Sequence, residues 1–176
     1  VLCNNEISSI IEFTTPNTDG NNTYTWTNDN TSIGLSSTGN GDIPSFTALN
    51  LSPITELATI TVIPTYENNG VVCIGDIQTF SISVLSEIEI TGTTVDALDC
   101  NDPNSGNINI TVTGGSGVYD FLWSNGAITE DLNNIGPGDY SVTVTDSEGC
   151  TAISQAFNIC RPVSYTHLRA HETEQH

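Results

Sequence analysis

Ala58-Thr59-Ile60-Thr61-Val62-Ile63-Pro64 is the run of residues that decides the fold. Its side chains alternate between apolar and threonine over most of its length, and β-branched residues dominate it, as in a strand with one buried face. Asn69-Gly70, shortly after it, supplies the positive φ angles that a tight turn needs. Similar short runs recur between clusters of Gly, Asn, Asp and Pro, at 7–14, 23–27, 45–51, 78–85, 87–95, 106–113, 119–124, 140–145 and 151–159. The chain is therefore predicted to be all-β.

The turn and strand signals restart near residue 87, which divides the chain into two halves of similar size. Strands spaced by turns every 8 to 12 residues, roughly, are typical of immunoglobulin-like sandwiches. We expect two tandem immunoglobulin-like β-sandwich domains, at residues 1–86 and 87–162. The joint between them has neither a Pro/Gly run nor low complexity, which favours a stiff connection.

The distribution of charge is strongly uneven. Both arginines and all three histidines lie in residues 161–176, there is no lysine, and 19 of the 21 carboxylates lie in residues 1–160. A surface of one negative sign repels nucleic acid and anionic membranes. No apolar run approaches the roughly 20 residues of a membrane span, so direct membrane insertion is not expected.

The last residues, 163–176, differ in character from the rest. Val163-Ser164-Tyr165-Thr166-His167-Leu168-Arg169-Ala170-His171-Glu172-Thr173 looks like the in-frame translation of a sequencing adapter, and we interpret the segment as an artefactual, disordered tail. The alternative is metal binding by His167 and His171 on a helix, which needs further ligands that the chain does not supply.

One long motif in the second half has a specific resemblance. The residues are Gly114-Gly115-Ser116-Gly117-Val118-Tyr119-Asp120-Phe121-Leu122-Trp123-Ser124-Asn125-Gly126, followed by Gly138-Asp139-Tyr140-Ser141-Val142-Thr143-Val144-Thr145-Asp146-Ser147-Glu148-Gly149-Cys150. They resemble the SprB repeat of Bacteroidetes gliding adhesins, and Cys100 and Gly106-Asn107-Ile108 fit its opening. The resemblance covers about residues 88–160.

The first half is similar to the PKD-like domains that occur beside such repeats. The similarity lies in Cys3, Thr23-Tyr24-Thr25-Trp26, the run at 58–65, Asn69-Gly70 and Cys73. The turn before Cys73 is longer than in related domains.

Both resemblances imply a structural and adhesive module of a large exported, gliding-type surface protein. Its export would use the type IX system, and its place would be the extracellular face of the outer membrane. The implied partners are neighbouring repeats of the same chain and surface polysaccharide or host and substratum glycans. The alternative is a carbohydrate-binding module of a secreted polysaccharide-degrading enzyme.

Three aromatic residues are predicted to lie in the core. Trp26 and Trp123 fall in the middle of alternating runs, where a large ring fills the space between two sheets. Tyr140 precedes a Val/Thr strand and resembles a core or corner tyrosine. The alternative for the tryptophans is an exposed ring that stacks on a sugar, but neither has the cluster of polar residues that a sugar site needs.

Five cysteines offer disulfides to two small domains. Because a cysteine lies at the start and near the end of each predicted domain, we expect Cys3 to pair with Cys73 and Cys100 with Cys150. Cys160 is left over, either free or paired with another module.

The loop Asp99-Cys100-Asn101-Asp102-Pro103-Asn104 is a weak calcium candidate, with oxygen ligands from Asp99, Asn101, Asp102 and Asn104. It lacks the full alternating pattern and a distal bidentate Glu, so an Asx-rich turn is the competing interpretation. No cofactor other than calcium is expected.

Catalysis is not expected either. Residues 1–160 contain no His, Lys or Arg, so they offer no base or anion clamp of those types, and Ser/His/Asp and Cys/His mechanisms are excluded there. A carboxylate pair of the glycosidase kind remains, but acids spread over solvated loops are typical of a hydrated surface.

Overall fold

The computed structural model describes residues 1–16, 19–97 and 104–160, and every structural statement here concerns those ranges. They contain thirteen β-strands, one 3-10 helix (Thr31–Ile33) and no α-helix, which confirms the prediction of an all-β chain. The strands are β1 (Asn21–Asn28), β2 (Thr38–Asn40), β3 (Glu56–Asn68), β4 (Val71–Ile74), β5 (Gln78–Val84), β6 (Glu89–Val95), β7 (Gly106–Thr113), β8 (Tyr119–Trp123), β9 (Leu132–Ile135), β10 (Gly138–Tyr140), β11 (Val142–Asp146), β12 (Thr151–Ile153) and β13 (Phe157–Ile159).

The first five strands form one antiparallel sheet around the long strand β3. β3 pairs with β1, with β5 along its first half and with β4 along its last residues. β3 and β4 are joined by the two residues Asn69 (φ 51°) and Gly70 (φ 80°), as expected of an Asn-Gly hairpin turn. The alternating residues of β3 bury Ala58, Ile60 and Val62.

Two predicted strands of the first half do not form regular ladders. The segment at 7–14 forms only isolated bridges, Ile7 with Thr47 in the segment at 45–51 and Ile11 with Ile43 just before that segment. Ser8 gives a physical reason. Its backbone N–H donates to the Phe46 carbonyl, and its side-chain hydroxyl accepts from the Phe46 backbone N–H at 3.0 Å. A side chain that bonds to the backbone in this way competes with the strand ladder.

The remaining strands form three small sheets. Their orders are β6-β7-β9, β12-β11-β8 and β10-β13. Alternation again decides which side chains are buried, since β7 buries Ile108 and Ile110 and β11 buries Val142 and Val144.

The described residues divide into two compact units, and the division differs from the boundary predicted at residue 86. The first unit comprises Val1–Glu89 together with Val112–Asp120 and Thr145–Ala152, and the second comprises the remaining described residues. Two turn regions from beyond residue 87 therefore belong to the first unit. No helix in the described ranges is long and apolar enough to cross a membrane.

Candidate functional site

The three aromatic residues singled out from the sequence do not form a binding surface. Trp26 and Trp123 are each 2% exposed, and Tyr140 is half-buried. The Trp123 indole N–H donates to the Thr129 carbonyl at 2.8 Å, and the Tyr140 hydroxyl donates to the Gly136 carbonyl at 2.9 Å. The two tryptophan rings pack inside the protein, where they cannot stack on a sugar.

Most of the calcium candidate lies outside the described residues. This applies to Asp99, Asn101 and Asp102, whereas Asn104 is an exposed turn residue. Across 1–16, 19–97 and 104–160, no group of three or more His, Cys, Asp or Glu side chains is arranged to hold a metal ion.

The disulfide prediction is wrong in its pairing. Cys3 bonds to Cys150, with 5.5 Å between the two Cα atoms, so neither the predicted partner Cys73 nor the predicted pair of Cys100 with Cys150 is found. Cys73 is free and exposed on β4, and Cys160 is free and exposed as well. The turn that carries Cys150 belongs to the first unit, which also contains Cys3 and Cys73, so two cysteines far apart in sequence can meet there.

A buried carboxylate organises the turn that presents Cys150. Asp146 is 4% exposed and accepts hydrogen bonds from three backbone N–H groups, those of Cys150 (2.9 Å), Glu148 (3.0 Å) and Ser116 (2.8 Å). Several N–H donors compensate the burial of a carboxylate well. Asp146 thus joins the turn at 145–152 to the turn at 112–120 and positions the cysteine. The sequence signal was the spacing Asp146-x-x-Gly149-Cys150, typical of a turn in which an Asp side chain bonds to the backbone two residues on.

The first unit contains an open cleft of about 480 Å³, which we call the Glu87 cleft. It is lined by Asn50, Leu51, Ser52, Pro53, Ser86, Glu87, Glu89, Thr113 and Gly114. Three separate chain segments therefore form it, and all nine residues belong to the first unit. The sequence pattern did not indicate this site.

A glycine allows two of the segments that line the Glu87 cleft to approach each other closely. Gly114 has a φ of 86°. The backbone N–H of the next residue, Gly115, donates to the Ser86 carbonyl at 3.1 Å. A β-carbon at Gly114 would lie 1.9 Å from the backbone oxygen of Glu87. Only glycine permits both the left-handed backbone and this close approach.

Tyr119 stabilises the turn that contains Gly114. Its hydroxyl donates to the Gly114 carbonyl at 2.5 Å. Burial raises the pKa of the Tyr119 phenol above its ordinary value, and the negative charge of Asp146 raises that pKa further. The phenol therefore keeps the proton that it donates to Gly114.

This raised pKa predicts a loss of stability at alkaline pH. The folded state holds the Tyr119 proton more tightly than the unfolded chain does. The contribution of this proton to the free energy of unfolding is therefore complete below pH about 10 and is lost as the pH rises through the folded pKa. We expect the fall in the free energy of unfolding above pH 10, measured by urea denaturation, to be smaller in Tyr119→Phe. Tyr140→Phe, which also removes a hydroxyl bonded to a backbone carbonyl, is the matched control for the lost hydrogen bond. The same alkaline profile in Tyr119→Phe and the parent protein would contradict this prediction.

Comparison with known proteins finds one family model that matches part of the chain. Residues 91–128 match the family model described as the SprB repeat. No curated protein matches the chain. Among solved structures, the chain is similar to the C-terminal 282-residue fragment of intimin in complex with the intimin-binding domain of the translocated intimin receptor, with 15% identity and a TM-score of 0.48. The match covers 80% of this chain and 52% of that one, so the chain spans about half the length of the intimin fragment.

Proposed function

We propose that this chain, in which residues 91–128 are a SprB repeat, is a structural and adhesive module of a large secreted bacterial surface protein of the gliding type. SprB repeats occur in cell-surface proteins, and repeats of this kind are typically not catalytic. A location on the outer face of the outer membrane, with neighbouring repeats as partners, belongs to the same proposal. The disulfide adds support, because such bonds persist in oxidising compartments outside the cytosol.

The observation that carries the structural role is the position of the disulfide. Cys3 and Cys150 are 147 residues apart in sequence, so the bond closes nearly the whole described chain into one loop. In a tethered surface protein, tension that enters before Cys3 and leaves after Cys150 passes through the sulfur atoms. The residues between the two cysteines then carry no tension along the backbone, and the module does not lengthen when it is pulled.

Single-molecule force spectroscopy tests this role. With handles attached at Val1 and after Cys160, the oxidised protein is expected to show no long extension on pulling. Reduction, or replacement of Cys3 and Cys150 with alanine, frees 147 residues. At about 3.5 Å for each residue, these add roughly 500 Å of chain.

The matched control is Cys73→Ser, which removes a free, exposed cysteine and leaves the loop closed. It is expected to behave like the parent protein. An extension of roughly 500 Å in the oxidised parent would refute the force-bearing role.

The alternative function, a carbohydrate-binding module of a polysaccharide-degrading enzyme, has less support. In that function Trp26 and Trp123 would stack on the sugar, but both side chains are buried. Saturable binding of a single glycan on an array, unchanged by Cys73→Ser, would favour it over a purely structural role.

A further inference from the structure

Asparagine–glycine pairs are chemically labile positions that the structural role does not use. In such a pair the glycine nitrogen, which has no β-carbon beside it, can attack the carbonyl carbon of the asparagine side chain. The sequence contains three of these pairs, Asn40-Gly41, Asn69-Gly70 and Asn125-Gly126, and all three lie in the described ranges. What the fold does with each glycine nitrogen therefore decides which pair reacts.

Exposure and backbone angle do not distinguish the three pairs. The three asparagines are all exposed. The glycines all have a positive φ, 71° at Gly41, 80° at Gly70 and 86° at Gly126, and a β-carbon at any of them would meet nothing within 4 Å. The pairs are thus a matched set, and their hydrogen bonds can be compared directly.

Two of the glycine nitrogens are engaged by the fold. The Gly41 N–H donates to the Tyr24 carbonyl at 2.9 Å, and the Gly126 N–H donates to the Trp123 carbonyl at 2.9 Å. Each bond directs the nitrogen toward its acceptor, so attack on the neighbouring side chain requires that the bond is broken first. The fold therefore protects Asn40 and Asn125.

The third glycine nitrogen is not engaged. Gly70 is the second residue of the two-residue turn between β3 and β4, and no residue of the described ranges accepts its N–H. The flanking residues Asn68 and Val71 pair with each other and close this turn. In a turn of this kind the N–H of the second turn residue is left to solvent. The Gly70 nitrogen is thus available to the Asn69 side chain.

The strand after the turn makes local opening easy. β4 lies at the edge of the first sheet and pairs only with β3, and all four of its residues are exposed. None of them belongs to the hydrophobic core of that sheet. A segment that buries so little opens at low cost in free energy. Such opening gives Asn69 the backbone freedom that the attack requires, while the core stays folded.

We propose that Asn69 is a site of spontaneous modification, at which the side-chain amide is lost and the β3–β4 turn acquires an isoaspartate. The Gly70 nitrogen gives up its proton and bonds to the side-chain carbonyl carbon of Asn69. That carbon releases its amide group, which leaves with the proton as ammonia. Water then opens the resulting five-membered imide. Opening at the former side-chain carbonyl gives aspartate, and opening at the former backbone carbonyl gives isoaspartate, so water is the only co-reactant.

The isoaspartate product changes the edge of the sheet. Its backbone runs through the former side chain and is one carbon longer, so the turn no longer fits the pairing of Asn68 with Val71. We expect β4 to separate from β3. β1 and β5 still pair with β3 and retain the core of the sheet.

Incubation of the full, folded chain at mildly alkaline pH tests the proposal. Chymotrypsin then places the three pairs on separate peptides, which end at Phe46, Phe80 and Leu132. Mass spectrometry measures the loss of each amide and distinguishes isoaspartate from aspartate. We expect Asn69 to react about tenfold faster than Asn40 and Asn125, because only the latter two must first lose a hydrogen bond. In concentrated urea, where the fold is lost, the three rates are expected to converge.

Asn69→Asp is the matched variant, since it carries the added charge without the added backbone carbon, and aspartate tolerates a positive φ. Hydrogen exchange of the amides at 71–74 is expected to be fast in the isoaspartate product and slow in this variant and in the parent protein. Equal rates at the three asparagines of the folded chain would overturn the proposal. A folded chain that keeps the Asn69 amide would also overturn it, and so would the same order of rates in urea. Fast exchange at 71–74 in Asn69→Asp would refute the role of the longer backbone.

Discussion

Replacing both Cys3 and Cys150 with alanine is expected to lower the free energy of unfolding by up to about 5 kcal/mol. The reason is the sequence separation of 147 residues, because closing so long a loop removes much of the conformational freedom of the unfolded chain. Small domains are stable by roughly 5–15 kcal/mol, so the loss is a large share of the total. Urea denaturation of the variant and the parent measures it. Cys73→Ala is the control and is expected to change stability little, since Cys73 is exposed and unpaired.

The connectivity itself needs a mapping experiment suited to this sequence. Trypsin does not cut within residues 1–160, which contain no Lys or Arg. An Asp/Glu-specific protease frees Cys3 in a short N-terminal peptide, and chymotrypsin at Phe157 separates Cys150 from Cys160. Without reductant, the Cys3 peptide is expected to be linked to the Cys150 peptide. A Cys3 peptide linked to the Cys73 peptide would contradict both the stability prediction and the force-bearing role.

Gly114→Ala is expected to destabilise the protein by about 3 kcal/mol, the second largest effect. Alanine at φ 86° is strained, and its β-carbon would lie 1.9 Å from the Glu87 backbone oxygen, so the turn at 112–120 must move away from residues 86–87. Thermal and urea unfolding measure the loss. The Tyr119 hydroxyl bond to Gly114 is expected to be broken in the same variant.

Gly117→Ala separates the two causes of this effect. Gly117 has nearly the same backbone angle, φ 84°, but a β-carbon there meets nothing within 4 Å. Its replacement is therefore expected to cost only the backbone strain, about 1–2 kcal/mol. Equal losses in the two variants would mean that the close approach of Gly114 to Glu87 does not exist in solution.

Local features of the fold were predictable from the sequence. The alternation at 58–64 lies within β3, the run at 106–113 is β7, and the Asn69-Gly70 turn joins β3 to β4. These features depend on side-chain period and on φ preferences, which neighbouring residues determine. The motif at 114–150 likewise pointed to the repeat family that matches residues 91–128. By contrast, β2, β4 and β9 went unpredicted, because each has only three or four residues and little alternation.

The composition and the order of residues determined that this chain is all-β, strongly acidic and without a basic side chain before Arg161. Only the tertiary structure decided which distant segments meet. It placed the turns at 112–120 and 145–152 in the first unit, brought Cys150 to Cys3, and formed the Glu87 cleft from segments near residues 50, 87 and 114. The physical reason is that such contacts depend on burial and steric fit between remote parts of the chain, as between Gly114 and Glu87, and no local preference records them.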